Sequence, residues 1–297
     1  MHRETPPARA LDSLAGNLVR MSSVTFSVTR VGLIARNTVR EATRQRLFNF
    51  MALLAFALIL GAQWLREFSF GVSELRFLTD FGFGAMGFFG ATLTIVATAQ
   101  LFFSELDQRT VLTLFSKPVT RAEFIAGKMA GMSIVTASFC ALLTVLLVAV
   151  IWSRETALMT VHPEAFANGR AIDYAAVIAA GLAQWLKLLL LSSFTLLVAS
   201  FAGTPLFAIS SSFFILVVCH LQLYAESAGH HGGAVVRALT KLLSLLLPDF
   251  QRFDLSESLG LGAGPVGSQL FWLACYAGGY VCVTSVLAAF VFHRREI

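Results

Sequence analysis

The chain has 297 residues, a hydrophobic fraction of 57%, a charged fraction of 13% and a formal net charge of +5 at pH 7. Soluble domains carry about 25% charged residues, so this chain lacks roughly half of the polar surface that a water-soluble protein presents. The composition excludes an ordinary soluble domain and predicts an all-α, polytopic membrane protein. No basic patch is interleaved with exposed aromatic residues, so we expect no nucleic-acid partner.

The N-terminal part of the chain is polar and then amphipathic. Residues 1–23 are polar and predict a flexible tail. In residues 24–46, apolar side chains such as Val31, Ile34 and Ala35 recur at helical spacing, and most of the arginines fall on other faces. This pattern predicts an amphipathic helix in the membrane interface, where anionic headgroups attract its basic face. The alternative is a soluble surface helix, which we consider weaker because a membrane span follows at once.

Six apolar runs follow, each long enough to cross a hydrocarbon core of about 30 Å as a helix. They are residues 47–64, 82–103, 132–152, 177–202, 205–224 and 269–292. Together they form a six-span transmembrane domain over residues 47–292, followed by a short tail at 293–297.

The distribution of basic residues indicates the orientation of the spans. The N-terminal part, loop 104–131 and the C-terminal tail contain fourteen Lys and Arg residues, against seven in the other three loops. Because cytoplasmic loops carry the excess of positive charge, we expect both termini and loop 104–131 in the cytoplasm. The expected location is the bacterial cytoplasmic membrane.

Loop 104–131 is the most charged part of the transmembrane region and has ordered local signals. Ser104-x-x-Asp107 and Thr120-x-x-Glu123 both fit the capping-box pattern of a helix start. Pro118 lies between them and disfavours helical backbone at the preceding residue. The loop therefore predicts two short helices set at an angle and attached at both ends to membrane spans.

Two further features carry open alternatives. In the external segment 225–268, an apolar helical face ends at Pro248, which predicts a helix lying on or dipping into the outer leaflet; a soluble cap packed on the bundle is the alternative. Lys187 is the one formal charge inside a predicted span. It either lines a substrate path, as intramembrane charges often do, or extends its stem to the interface, which we favour.

Motifs for catalysis or metal binding are missing from the sequence. The only Gly-Lys pair, Gly127-Lys128, lacks the rest of a nucleotide-binding loop, and neither HExxH nor GxSxG occurs. We therefore expect no catalytic residues, no metal site and no cofactor bound by the chain itself.

The residues of loop 104–131 resemble those of permease subunits of type-2 ABC transporters, a six-span family that includes the permease of nitrous-oxide reductase maturation. The residues that carry the resemblance are Glu105, Thr110, Leu112, Leu114, Pro118, Arg121, Phe124 and Lys128. The resemblance implies that this loop is a cytoplasmic coupling helix, that it docks into a groove of a separate ATPase subunit binding ATP and Mg, and that two permease subunits pair.

The residue types suit such a contact. Charged side chains could set the register of the loop on its partner, and leucines could fill a groove. The charged candidates are Glu105, Asp107, Arg109, Arg121 and Glu123. We therefore expect an ATP-driven exporter, or a system that extracts a substrate from the membrane. The alternatives are an integral-membrane enzyme, such as a protease or lipid-modifying enzyme, and a non-enzymatic membrane scaffold.

Overall fold

A computed structural model describes residues 27–65, 74–107, 120–161, 163–166, 170, 172–222, 246–255 and 266–294. Its long helices are α1 (Val28–Arg44), α2 (Arg46–Leu65), α3 (Glu74–Asp107), α4 (Arg121–Val161), α5 (Tyr174–Phe201), α6 (Pro205–His220) and α7 (Val266–Arg294). Two short 3₁₀ turns lie at Pro163–Phe166 and Gln251–Phe253, and the described residues contain no strand. The predicted all-α class is confirmed.

Five of these helices, α2, α3, α4, α5 and α7, are long and apolar enough to cross a membrane. Helix α6 is apolar but has only 16 residues, which corresponds to about 24 Å at a rise of 1.5 Å per residue. Its start agrees with the sequence: the side chain of Thr204 accepts a hydrogen bond from the backbone N–H of Phe207, and Pro205 begins the helix. The described residues thus contain five helices of spanning length, and the sixth crossing stays a prediction.

The centre of the bundle consists of α3, α4 and α5, while α7 packs along α5 and α1 packs along α4. In their most apolar stretches, helices α2 and α7 have few buried residues, whereas α3 and α5 are mostly buried. We call the end of the bundle where α1 meets the start of α4 and the ends of α3 and α7 the elbow end. The opposite end is the far end.

Two expectations for loop 104–131 are wrong. Ser104 is not a helix N-cap but lies in the last turn of α3, where its hydroxyl contacts the side chain of Glu41 and the carbonyl of Leu101. Residues 121–131 do not form a separate short helix, because α4 runs without interruption for 41 residues. The charged residues Glu105, Glu123 and Lys128 lie within the two helices, where each side chain pairs with a residue of a neighbouring helix. Between the end of α3 at Asp107 and the start of α4 at Arg121, only Thr120 is described.

The Thr120-Glu123 capping box is confirmed. The backbone N–H of Thr120 donates to Oε2 of Glu123 at 2.7 Å, and the backbone N–H of Glu123 donates to the Thr120 hydroxyl at 3.2 Å. These two bonds satisfy amides that the first turn of a helix leaves free. Residues 108–119, including Pro118, lie outside the described residues, as does most of the apolar face before Pro248.

Helix α1 lies very close to α4 because two glycines face it. A Cβ at Gly127 would lie 2.6 Å from the side chain of Ile34, and one at Gly131 would lie 2.6 Å from that of Thr38. The glycines are four residues apart, so they lie on one helical face and let the two backbones approach.

We expect Gly127→Ala to lower the free energy of unfolding by about 1–3 kcal/mol, because the added methyl group forces α1 away from α4. The measurement is denaturant unfolding in detergent. Gly84→Ala is the matched control, since nothing lies within 4 Å of a Cβ at Gly84, and it corrects for the higher helix propensity of alanine. Equal stabilities of the two variants would contradict the close contact.

Candidate functional site

The elbow end is organised around the carboxylate of Glu123, whose side chain is 0% exposed. Oε1 accepts a hydrogen bond from the backbone N–H of Ser27 at 2.7 Å, and Oε2 accepts one from Thr120. The guanidinium of Arg30 adds an ion pair at 3.3 Å. A buried charge is tolerated when its lone pairs are used in this way. One carboxylate thus joins the start of α1 to the start of α4.

Arg121 connects the start of α4 to the end of α7. Its Nη1 donates to the backbone carbonyls of Phe292 at 2.6 Å and His293 at 2.9 Å. The guanidinium also lies 5.6 Å from the centre of the Phe292 ring. The last carbonyls of a helix have no partner within the helix and carry partial negative charge, so this arginine caps α7.

Lys128 connects α4 back to α3. Its Nζ forms an ion pair with Oε1 of Glu105 at 2.8 Å and donates to the carbonyl of Leu101 at 3.0 Å. The Lys128 side chain is only 2% exposed, while that of Glu105 is 17% exposed. Because Glu105 precedes the 108–119 segment and Lys128 follows it, the pair holds the two sides of that segment together.

An aromatic cluster lies beneath these polar contacts. Phe102 of α3, Phe124 of α4 and Phe292 of α7 are each fully buried. Their ring centroids are 5.6 to 6.1 Å apart, within the range in which aromatic pairs attract one another beyond simple burial. The cluster fixes the three helices at the level where the ion pairs form. We call α1, the start of α4 and the ends of α3 and α7, with these contacts, the elbow block.

The structure brings together part of the site predicted from the sequence. Glu105, Arg121, Glu123, Phe124 and Lys128 all lie in the elbow block, where their side chains contact other parts of the same chain. The five are therefore placed to hold the segment between α3 and α4, and a direct contact with a partner would have to compete with these bonds. Asp107 ends α3. Arg109, Thr110, Leu112, Leu114 and Pro118 lie outside the described residues.

Sequence reasoning missed the partners of these residues. Ser27, Arg30 and Glu41 lie on or beside α1, and Phe292 lies at the end of α7. One signal was available, namely the Gly127-x-x-x-Gly131 spacing that allows close helix packing.

Comparison with known proteins gives the family. The model of the ABC-2 family transporter protein matches residues 18–297. The chain belongs to the ABC-2 transporter family. The match supports an ABC-2 permease in general and no narrower member, and a search of curated proteins gives no match. The match identifies the chain as a membrane component of a transporter.

A second polar site of the permease lies between α3, α5 and α6, in a cleft of about 680 Å³. Lys187 and Gln184 reach it from α5, and His220 from the end of α6. Phe250, from the segment that follows α6, closes one side; the Lys187 ammonium lies 5.9 Å from its ring centre. The intramembrane charge predicted at Lys187 therefore faces a cleft inside the bundle.

Removing one member of the Lys128–Glu105 pair should destabilise the permease. We expect Lys128→Met to lower the free energy of unfolding by about 3–5 kcal/mol, because it leaves the Glu105 carboxylate partly buried without its cation. The Glu105→Gln, Lys128→Met double variant should recover part of that loss. Denaturant unfolding of the two variants in detergent tests this, and equal stability of the single and double variants would contradict the pairing.

Proposed function

We propose that this ABC-2 permease couples ATP hydrolysis by a separate ATPase subunit to the export of a substrate across the membrane, or to its extraction from the membrane. The observation that carries the proposal is that both sides of the 108–119 segment are fixed to one block of four helices. In this proposal, a displacement of the segment passes to the helices that hold its two ends. In this proposal the elbow end faces the cytoplasm, in line with the excess of basic residues there.

The partner contact in this proposal comes from the 108–119 segment itself. Leu112 and Leu114 supply apolar anchors for a groove on the ATPase, and Arg109 supplies charge complementarity. ATP and Mg bind to the ATPase, since the permease sequence has no nucleotide-binding loop. We further propose that two permease subunits pair and that the arginines of α1 contact anionic lipid.

The first test separates docking from folding. We expect Leu112→Asp to reduce co-purification of the ATPase by roughly tenfold or more, because a charge replaces an apolar anchor. Thermal stability should be unchanged, since Leu112 is not one of the residues whose contacts define the elbow block. Val161→Asp is the control: Val161 is an exposed apolar residue at the far end and should not affect the ATPase.

The protein is purified from its native membrane and the co-purifying chains are identified and quantified. Absence of any P-loop ATPase from intact wild-type protein would contradict the proposed function. Retention of the ATPase by Leu112→Asp would contradict docking through the 108–119 segment.

The second test addresses force transmission. We expect Arg121→Ala to retain the ATPase but to hydrolyse ATP with little transport, because it releases the end of α7 from α4 while leaving the docking segment in place. ATPase binding, ATP hydrolysis and transport are measured on the same preparation. Loss of ATPase binding in this variant would show instead that Arg121 contacts the partner directly.

A further inference from the structure

The cleft around Lys187 has the features of a binding site. Lys187 is the fourteenth residue of the 28-residue helix α5, so it lies near the middle of the membrane-crossing part. Within the part of the chain that the structure describes, no carboxylate lies within ion-pair distance of its ammonium. Charges at such depth are costly and typically face a functional path.

Irregular backbone lies beside this lysine. Helix α6 ends at His220, and residues 246–255 pack against its end: Gln251 Nε2 donates to the His220 carbonyl at 2.9 Å, and Gln222 Nε2 donates to the Leu247 carbonyl at 3.3 Å. The His220 and Phe250 rings meet edge to face. At membrane depth, non-helical backbone is tolerated where it is buried in protein or lines a water-filled cavity. The cleft is therefore a place where polar groups of a ligand can be solvated.

The distribution of charge in the cleft is two-sided. Lys187 supplies a cation, and Asp80 and Asp254 supply carboxylates. Asp80 forms a 3.8 Å ion pair with Arg76 in which both side chains are about half exposed, and an exposed pair of this kind contributes little to stability. A ligand carrying only negative charge would meet the lysine favourably and the two carboxylates unfavourably. A ligand with one anionic and one cationic group would attract both the lysine and the carboxylates.

The walls of the cleft are mostly apolar, and there is unfilled space beside Gly84. The apolar lining comes from Phe83, Phe88, Leu188, Leu191 and Phe213. Gly84 also lines the cleft, and nothing lies within 4 Å of a Cβ built on it. The volume is within the range of small-molecule sites, about 300–1,000 Å³, and suits a headgroup with the first part of an acyl chain.

We propose that this cleft binds a zwitterionic phospholipid that carries a primary amine. Its phosphate pairs with Lys187, its ammonium pairs with the carboxylates of Asp80 and Asp254, and its chains lie along the phenylalanine and leucine walls. This names the substrate class of the transport function proposed above and rests on it for its role, whereas the binding itself requires neither ATP nor a partner.

Lipid binding is measured by native mass spectrometry of the full chain in detergent, with phosphatidylethanolamine and phosphatidylglycerol as probes. Wild-type protein should bind phosphatidylethanolamine more tightly. Lys187→Met should weaken binding of both lipids by about tenfold, the loss expected for one charge-assisted contact. Asp254→Asn should remove the preference for the amine-bearing lipid. Arg170→Gln is the control, because it removes an exposed positive charge outside the cleft.

A steric variant keeps the test decisive if Lys187→Met does not fold. Gly84→Leu should block lipid binding by filling the cleft, and Gly278→Leu, at another glycine with open space around it, should not. Unchanged binding in Lys187→Met or Gly84→Leu would overturn the proposal, as would equal affinity for the two lipids. Displacement of the lipid by millimolar inorganic phosphate would show that the cleft takes a free anion, and this too would overturn it.

Discussion

The carboxylate of Glu123 is buried at the start of α4 and binds backbone amides from two places in the chain, one beside it at Thr120 and one 96 residues away at Ser27. A buried carboxylate is stable only while such donors surround it. The position of α1 on α4 therefore follows from the solvation of one charge. The glycine face at Gly127 and Gly131 then allows the two helices to stay in close contact along their length.

The other contacts of the elbow block extend this arrangement to α3 and α7. Arg121 donates to a carbonyl at the end of α7, and Lys128 pairs with Glu105 at the end of α3. The phenylalanine cluster packs between these contacts. Helix α3 also reaches the cleft, where Asp80 and Gly84 lie near its other end. One continuous helix thus connects the segment proposed to receive the ATPase with the site proposed to bind lipid, which gives a displacement at one end a path to the other.

How much of this could be predicted from the sequence depended on the range of each interaction. The Thr120-Glu123 box was predictable because both groups lie within one turn. Ser104-Asp107 had the same spacing and was wrong because α3 continues through Ser104, whose hydroxyl contacts Glu41, 63 residues away. The bond from Arg121 to Phe292 spans 171 residues and leaves no local pattern.

The polar cleft, too, depends on contacts between residues that are distant in the sequence. Composition and apolar periodicity predicted the long apolar helices and the position of Lys187 inside one of them. They did not show that residues 246–255 pack back onto the end of α6 and bring Phe250 against α5. A single sequence contains the residues of such a site, but the fold alone brings them together.

The central claim is that α1 and the start of α4 move as one body when the transporter works. The most direct measurement is the distance between spin labels at Arg36 of α1 and Ala122 of α4, in the complete transporter with and without trapped nucleotide, using a variant in which the four native cysteines are replaced. Both label positions are exposed, so labelling leaves the Glu123 contacts intact. The account predicts that this distance is the same in both states while the distance between labels at Val161 and Leu221 changes. A change between α1 and α4 on nucleotide binding would contradict it.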